Sequence, residues 1–270
     1  MASVSVLMPV KNGGTFVRRA VVSTLRALPD SAELLVMDDG STDTTRATLA
    51  SINDPRLRLF FRNTSRGVAT ALNSLLEESS SDSVARMDAD DVCLPWRFSL
   101  QSRVLEDHGG IAFGNVIYCT GKGVPLRPTF RRPQRAYSPN RELLDRNPFV
   151  HPTMIAQRSV IESVGGYQGV GAEDYDLWLR LATVNVPFSV VTTPVLMYRQ
   201  HANQVTATKQ ARSELRSKWF AEELLVKSWA RLADKEYGLA FHDELVSGIP
   251  RTIDEFKLRS DFAESTGRNT

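Results

Sequence analysis

"SVARMDADD" (residues 83–91) sets three aspartates, Asp88, Asp90 and Asp91, behind a short apolar run that reads as a buried strand. Like charges at a strand end repel one another, and the arrangement is costly unless a cation or a phosphate-bearing ligand resides there. The stretches before it set the fold. "VSVLMPV" (4–10), "AELLVMDD" (32–39) and "LRLFFRN" (57–63) read as three earlier strands. Helical patterns separate them: "TFVRRAVVSTLRAL" (15–28), "STDTTRATLASI" (41–52) and "GVATALNSLLEES" (67–79). Strands alternating with helices of this length predict a parallel sheet with right-handed crossovers. Ligands of such sheets bind beyond the carboxyl ends of the strands. The loops there are "PVKNGG" (9–14), "DDGSTD" (38–43), "RNTSRG" (62–67) and "DADD" (88–91), all polar, glycine-bearing or acidic.

The second half is less regular. "RFSLQSRVLEDH" (97–108) predicts a helix and "GIAFGNVIY" (110–118) a strand. "TGKGVPLRPTFRRPQRAYSPN" (120–140) holds four prolines and five basic residues without an acid, and predicts an irregular excursion. From Lys209 to about Lys235 an amphipathic helix is expected, with Leu215, Trp219, Val226, Trp229 and Ala233 near one face. The reading is an α/β nucleotide-binding domain over 1–205 and a helical extension over 206–270.

The 270 residues are 42% hydrophobic and 24% charged, ordinary for a chain with a real core. A net charge of +2 provides no general field for nucleic acid or membrane, so any basic surface is local. Cys93 and Cys119 lack metal-ligand spacing and argue against a disulfide scaffold. No run of about 18 apolar residues occurs, and "MASVSVLMPV" lacks the pattern of a signal peptide. A cytoplasmic protein is expected. Peripheral contact with the inner membrane face or self-association would run through the C-terminal helices.

Asp88 and Asp90 are two apart, so from a strand end both point the same way. Two hard oxygens on that spacing suit Mg²⁺ or Mn²⁺. The structural alternative, Asp91 capping a helix over "VCLPWRF" (92–98), explains one acid of the three. In "VMDDGSTD" (36–43), Asp39 could accept from the N–H of a base, while Asp43 reads as a helix cap. Glu173 and Asp174 open a helix after a glycine-rich approach, where acids are as often structural as functional. His201 follows the apolar "PVLMY" (194–198), and His151 stands in an extended frame before Pro152.

Taken in order, "PVKNGG", "VMDDGSTD", "RGVATALN", "ARMDADD", "GGYQGVGAEDYDLWLR" and "YRQHANQ" closely resemble the inverting family 2 glycosyltransferases of GT-A fold, over residues 3 to about 205. The resemblance implies a mostly parallel, helix-flanked GT-A sheet. It implies Pro9 and Val10 beside a nucleotide base, Asp39 bonded to that base, and Arg66 near base or ribose. Asp88 would face the ribose or donor sugar, and Asp90 would hold Mn²⁺ or Mg²⁺. Asp91, Gly166 and Glu173 are expected near the donor or acceptor sugar, Asp174 as catalytic base, and His201 at the metal or diphosphate. Lys11 departs from the pattern, which usually has tyrosine there. The partners implied are a nucleoside-diphosphate sugar, with UDP the family default, and a glycan, lipid-linked or protein hydroxyl; no nucleic acid is implied. Two rivals stand beside this reading. A sugar nucleotidylyltransferase would want a GxGTR-type loop after the first strand, and "PVKNGGTFVRR" lacks it. A sugar-nucleotide-binding protein without catalysis would not require the acidic pair at 173 and 174.

Overall fold

In the computed structural model, residues 3–129, 134–137, 139, 142, 143, 146–169 and 172–201 are described. The expected helix over 209–235 and the 206–270 extension lie outside the described residues.

Four apolar segments form the first half of the sheet: β1 (Val4–Val10), β2 (Glu33–Asp39), β3 (Leu57–Arg62) and β4 (Ser83–Arg86). They pair in parallel in the order β3-β2-β1-β4. Helices α1 (Val17–Ala27), α2 (Thr45–Ala50) and α3 (Val68–Glu78) make the crossovers. Side-chain alternation splits the core between the two sheet faces. Val4, Val6, Met8 and Val10 pack with Val17, Val21 and Leu25 of α1, whereas Leu7 and Leu35 pack with Leu72, Leu75 and Leu76 of α3. The α1 stripe Val17, Ala20, Val21, Thr24 and Leu25 is buried at helical spacing.

Beyond β4 come β5 (Val92–Cys93), α4 (Arg97–His108), β6 (Ile111–Thr120), β7 (Pro125–Pro128), β8 (Gln134–Tyr137), β9 (Ile155–Gln157), α5 (Arg158–Ser163), α6 (Glu173–Thr183) and β10 (Phe188–Gln200). The sheet continues β4-β9-β6-β10-β5. β9 runs antiparallel to both β4 and β6, β6 and β10 are parallel, and β5 is antiparallel to β10. The parallel pattern read from the sequence thus holds for β1 to β4, and the complete sheet is a mixed α/β sheet flanked by helices.

Three local readings change. The stretch 120–140 carries strands β7 and β8, paired to β6 and β10; β7 lies off the main strand path, an edge position that tolerates Pro125 and Pro128. Asp91 caps no helix, because Val92–Cys93 is strand and α4 starts only at Arg97. His151 begins a 3₁₀ turn, His151–Thr153, in place of an extended segment. Both cysteines are buried free thiols. No helix among the described residues is long and apolar enough to cross a membrane.

Candidate active site

The acids lie where β4 leaves the sheet. Leu7 pairs with Arg86 as the last β1–β4 partners, and the Met87 N–H still donates to the Leu7 carbonyl at 3.0 Å. Beyond that point the chain turns, and Asp88, Asp90 and Asp91 each present an oxygen within 4.8 Å of the others. Asp91 is buried: its Oδ1 accepts the Arg199 N–H at 2.8 Å, and its Oδ2 has no hydrogen-bond partner among the described residues. Burial, together with the charges of Asp88 and Asp90, pushes Asp91 well above the usual carboxylate range. Burial also raises Asp88; the Arg86 guanidinium opposes the shift, while Asp90 and Asp174 add to it. An orphaned, desolvated carboxylate oxygen beside two further acids is a donor set that fits a hard divalent cation.

The far end of β10 closes over this turn. His201 Nε2 lies 2.8 Å from Asp90 Oδ2, and its ring sits 4.8 Å from that of Phe16. Arg199 donates from Nε to the Asp90 carbonyl at 2.6 Å and from Nη1 to the Gly121 carbonyl at 2.7 Å, with its guanidinium 4.9 Å from the Phe16 ring. One buried arginine therefore joins the acidic turn, the β6–β7 connection and the start of α1.

Pro9, Val10, Asp39 and Arg66 form a second group, at the ends of β1 and β2. Pro9 pairs with Met37 and Val10 with Asp38. The two loops that follow are stitched together: Asn12 N–H donates to Ser41 Oγ (2.8 Å), Gly13 N–H to Thr45 Oγ1 (2.9 Å) and Gly14 N–H to Asp43 Oδ2 (2.9 Å). Asp43 Oδ1 also accepts the Thr45 N–H at 2.9 Å, so it bonds the first turn of α2 from one residue ahead of the cap position, which Thr44 occupies. Asp39 accepts from Arg62 Nη1 at 3.0 Å, Ser65 Oγ at 2.7 Å, the Arg66 N–H at 3.1 and 3.0 Å on its two oxygens, and the Gly67 N–H at 2.9 Å. Burial would raise this carboxyl, but those bonds outweigh it and hold Asp39 below its ordinary value. Its observed work is to fold the 62–67 loop over the end of β2. The Arg66 side chain is exposed above that loop.

The acidic pair opens α6, where the positive end of the helix dipole favours carboxylates. Asp176, one turn in, is buried and paired with Arg180 at 2.6 Å, so it serves the fold. Asp174 Oδ2 accepts from Asn147 Nδ2 at 2.8 Å; among the described residues Oδ1 accepts no hydrogen bond. Glu173 Oε1 lies 3.8 Å from His151 Nδ1. Burial, then the positive charge of Arg86, drives His151 well below its usual pKa, so a neutral imidazole faces Glu173. Burial and the neighbouring Asp174 raise Glu173. Gly166 (φ +70°) makes the turn ahead of this helix, and a Cβ there would stand 2.7 Å from Asn73 Oδ1. Asn73 grips the next residue from both sides, donating to the Tyr167 carbonyl and accepting its N–H, each at 2.8 Å. Gly166 thus shapes the backbone entering the pair.

The fold therefore gathers Asp88, Asp90, Asp91 and His201, with Asp174 close enough for its charge to act on Asp88, and Asp88 close enough to act on Glu173. Sequence reasoning missed Arg86, Asn147, Arg199 and His151's contact with Glu173. Arg86 had a signal, because it shares strand parity with Asp88; Asn147, in a loop without periodicity, had none.

Residues 5–165 match the model of the family described as Glycosyl transferase family 2. The chain is 28% identical over 221 residues to an uncharacterized glycosyltransferase of Haemophilus influenzae, a match spanning 80% of this chain and 82% of that protein. It is 26% identical over 218 residues to the Escherichia coli UDP-Glc:alpha-D-GlcNAc-diphosphoundecaprenol beta-1,3-glucosyltransferase WfgD, spanning 80% and 83%. Among solved structures, S. aureus TarS 1–349 in complex with UDP-GlcNAc superposes with a TM-score of 0.66 at 16% identity, over 94% of this chain and 79% of that one. At that identity the likeness speaks for the fold, which is the GT-A fold. The family match covers more than half of the sequence, from β1 through α5, and takes in the acidic turn on β4. The protein is a glycosyltransferase, and its chain belongs to glycosyl transferase family 2.

Proposed function

We propose that the protein is a metal-dependent, inverting transferase that moves a sugar from a UDP-sugar to a hydroxyl of a glycan, lipid-linked or protein acceptor during cell-surface glycan assembly. The observation that carries this reading is the pairing of two acidic sets across one site. The triad Asp88, Asp90 and Asp91 holds a buried oxygen without a hydrogen-bond partner among the described residues, and the charge of Asp174, whose Oδ2 is held by Asn147, acts on Asp88. The nucleotide and the acceptor are supported by what related proteins are named for: WfgD for a UDP-glucose donor and a diphosphoundecaprenol-linked acceptor, and TarS for complexes with UDP and UDP-GlcNAc.

Inversion needs one displacement. The acceptor oxygen attacks the anomeric carbon from the face opposite the diphosphate; the new C–O bond forms as the bond to the diphosphate breaks, and the acceptor proton goes to a base. Asp174 Oδ1 is the assigned base. Asn147 donates to the other oxygen and so orients the carboxylate, and general-base help contributes about 10²–10⁴-fold. Asp90 and Asp91, with His201, would hold the divalent ion, which when bound stabilises the charge that builds on the departing diphosphate. The diphosphate then leaves without a protonated carboxylic acid, in contrast to glycoside hydrolysis, where two carboxyl groups share the work. Glu173, raised by burial, is suited to hydrogen-bond sugar hydroxyls, and Pro9, Val10, Arg66 and the loop organised by Asp39 are assigned to the nucleoside. Arg199 keeps the triad aimed by holding the Asp90 carbonyl and the Asp91 carboxylate.

A panel of nucleotide sugars screened for thermal stabilisation tests this reading. A ligand at 100 times its Kd adds about 2.7 kcal/mol of stability, which for a domain of this size raises Tm by roughly 5–10 °C. UDP-sugars are expected to give that rise with Mn²⁺ and to lose it with EDTA, and the matching donor should be hydrolysed slowly without acceptor. A panel with no metal-dependent stabilisation contradicts the proposal, and stabilisation without any hydrolysis favours a binding protein.

A further inference from the structure

Arg86 is a charged side chain that the mechanism above leaves unused. Strand parity places it: Val84 packs among Leu72, Tyr167 and Trp178, while Ala85 and Met87 pack on the opposite face with Val6 and Phe98. Arg86 therefore emerges on the face that carries α3 and α6, at only 7% exposure. Its Nη1 forms an ion pair with Asp88 Oδ1, and beyond that contact neither Nη1 nor Nε has a hydrogen-bond partner among the described residues. Its charge also acts on Glu173 and on Tyr167. A cation this desolvated is costly unless the surrounding anions need it.

Resting on the metal-dependent reading above, we propose that Arg86 is a positioning residue that withdraws Asp88 from the metal. Paired with Arg86, Asp88 is kept for the donor, and the dication is left to Asp90, Asp91 and His201. The charges support the assignment. The Arg86 guanidinium offsets one of the carboxylate charges at the turn, which weakens the negative field that the diphosphate meets. Without Arg86 the site is more anionic and Asp88 becomes a further ligand. The ion is then held more tightly and the diphosphate more weakly. A purely structural role would loosen both.

The test uses the full chain. Mn²⁺ binding to the free protein is followed by the EPR signal of the unbound ion, and UDP affinity at saturating Mn²⁺ by calorimetry. For R86Q the expected result is Mn²⁺ bound roughly tenfold more tightly and UDP roughly tenfold more weakly. Unchanged or weaker Mn²⁺ binding in folded R86Q overturns the inference. If R86Q does not fold, D88N and D91N decide: the loss of Mn²⁺ affinity should be clearly smaller in D88N, and equal losses overturn it. A wild type that binds no Mn²⁺ removes the metal reading and this inference with it. A wild type that binds Mn²⁺ beside an R86Q that binds it equally removes this inference alone.

Discussion

Asp90 stands at the centre of the residue-scale account, touching His201 through its carboxylate and Arg199 through its carbonyl. Replacing the carboxylate removes an assigned ligand but leaves the Arg199 clamp, whose Nε reaches the backbone carbonyl of Asp90. D90A is therefore expected to fold normally and to lose UDP affinity in Mn²⁺ by at least roughly 100-fold, measured by calorimetry; an unchanged affinity would count against its role. Gly166 makes a different prediction. At φ +70° with Asn73 in the way, G166A should cost about 1–3 kcal/mol, seen as a lowered Tm. At this scale the sequence was most readable where chemistry follows local spacing. Asp88 and Asp90 are two apart on an emerging strand, and Glu173 and Asp174 follow a glycine-rich approach. It was least readable where a side chain is recruited from far along the chain. Asn147 reaches Asp174 across 27 positions and Arg199 reaches Asp91 across 108, and nothing in the composition around either marks the partner. Asp39 was legible as a binding candidate, but its part in folding the 62–67 loop follows only from five hydrogen bonds donated by Arg62, Ser65, Arg66 and Gly67.

Among the elements, β2 begins with a charge that ties three neighbours. Glu33 accepts from Ser5 on β1, from Ser80 before β4 and from Arg58 on β3. Burial works to raise its carboxyl, but these bonds prevail and hold it at about 2 against an ordinary 4.5. A depressed value means the contribution is complete above pH 4.5 and is lost as pH falls through about 2. E33Q should therefore be less stable than the wild type by about 2 kcal/mol at pH 7. Denaturant unfolding at several pH values should show that gap closing between pH 4.5 and 2; a gap that stays constant would contradict the account. Helical elements were read well because a 3.6-residue stripe is a long signal, and α4 falls over the same residues, 97–108, that the pattern marked. Short strands were read poorly. β9 has three residues and β5 two, too few for any period, and both exist only because a neighbouring strand supplies their hydrogen bonds. The same cause explains β7 and β8, whose prolines and arginines argue for a loop until β6 and β10 offer edges.

For the whole molecule, the decisive feature is that two differently built halves of one sheet end at the same place. β1 to β4 form a parallel unit whose carboxyl ends bear the loops assigned to the nucleotide. The β4-β9-β6-β10-β5 half is mixed, yet its longest strand, β10, also ends at the acidic turn and delivers Arg199 and His201 to it. α6 brings its acidic first turn close enough for the Asp174 charge to act on Asp88. The first half was legible because alternation of strands and helices dictates its topology; the second was not, since antiparallel insertions leave no comparable repeat. Family membership rests on residues 5–165, while the assigned base lies beyond them at Asp174. The most direct measurement is therefore made on D174N, comparing sugar transfer with Mn²⁺-dependent UDP binding in the same preparation. The account predicts that transfer falls by roughly 10²–10⁴-fold while UDP affinity stays at the wild-type level. Transfer at the wild-type rate, or a loss of UDP affinity as large as the loss of transfer, would contradict it.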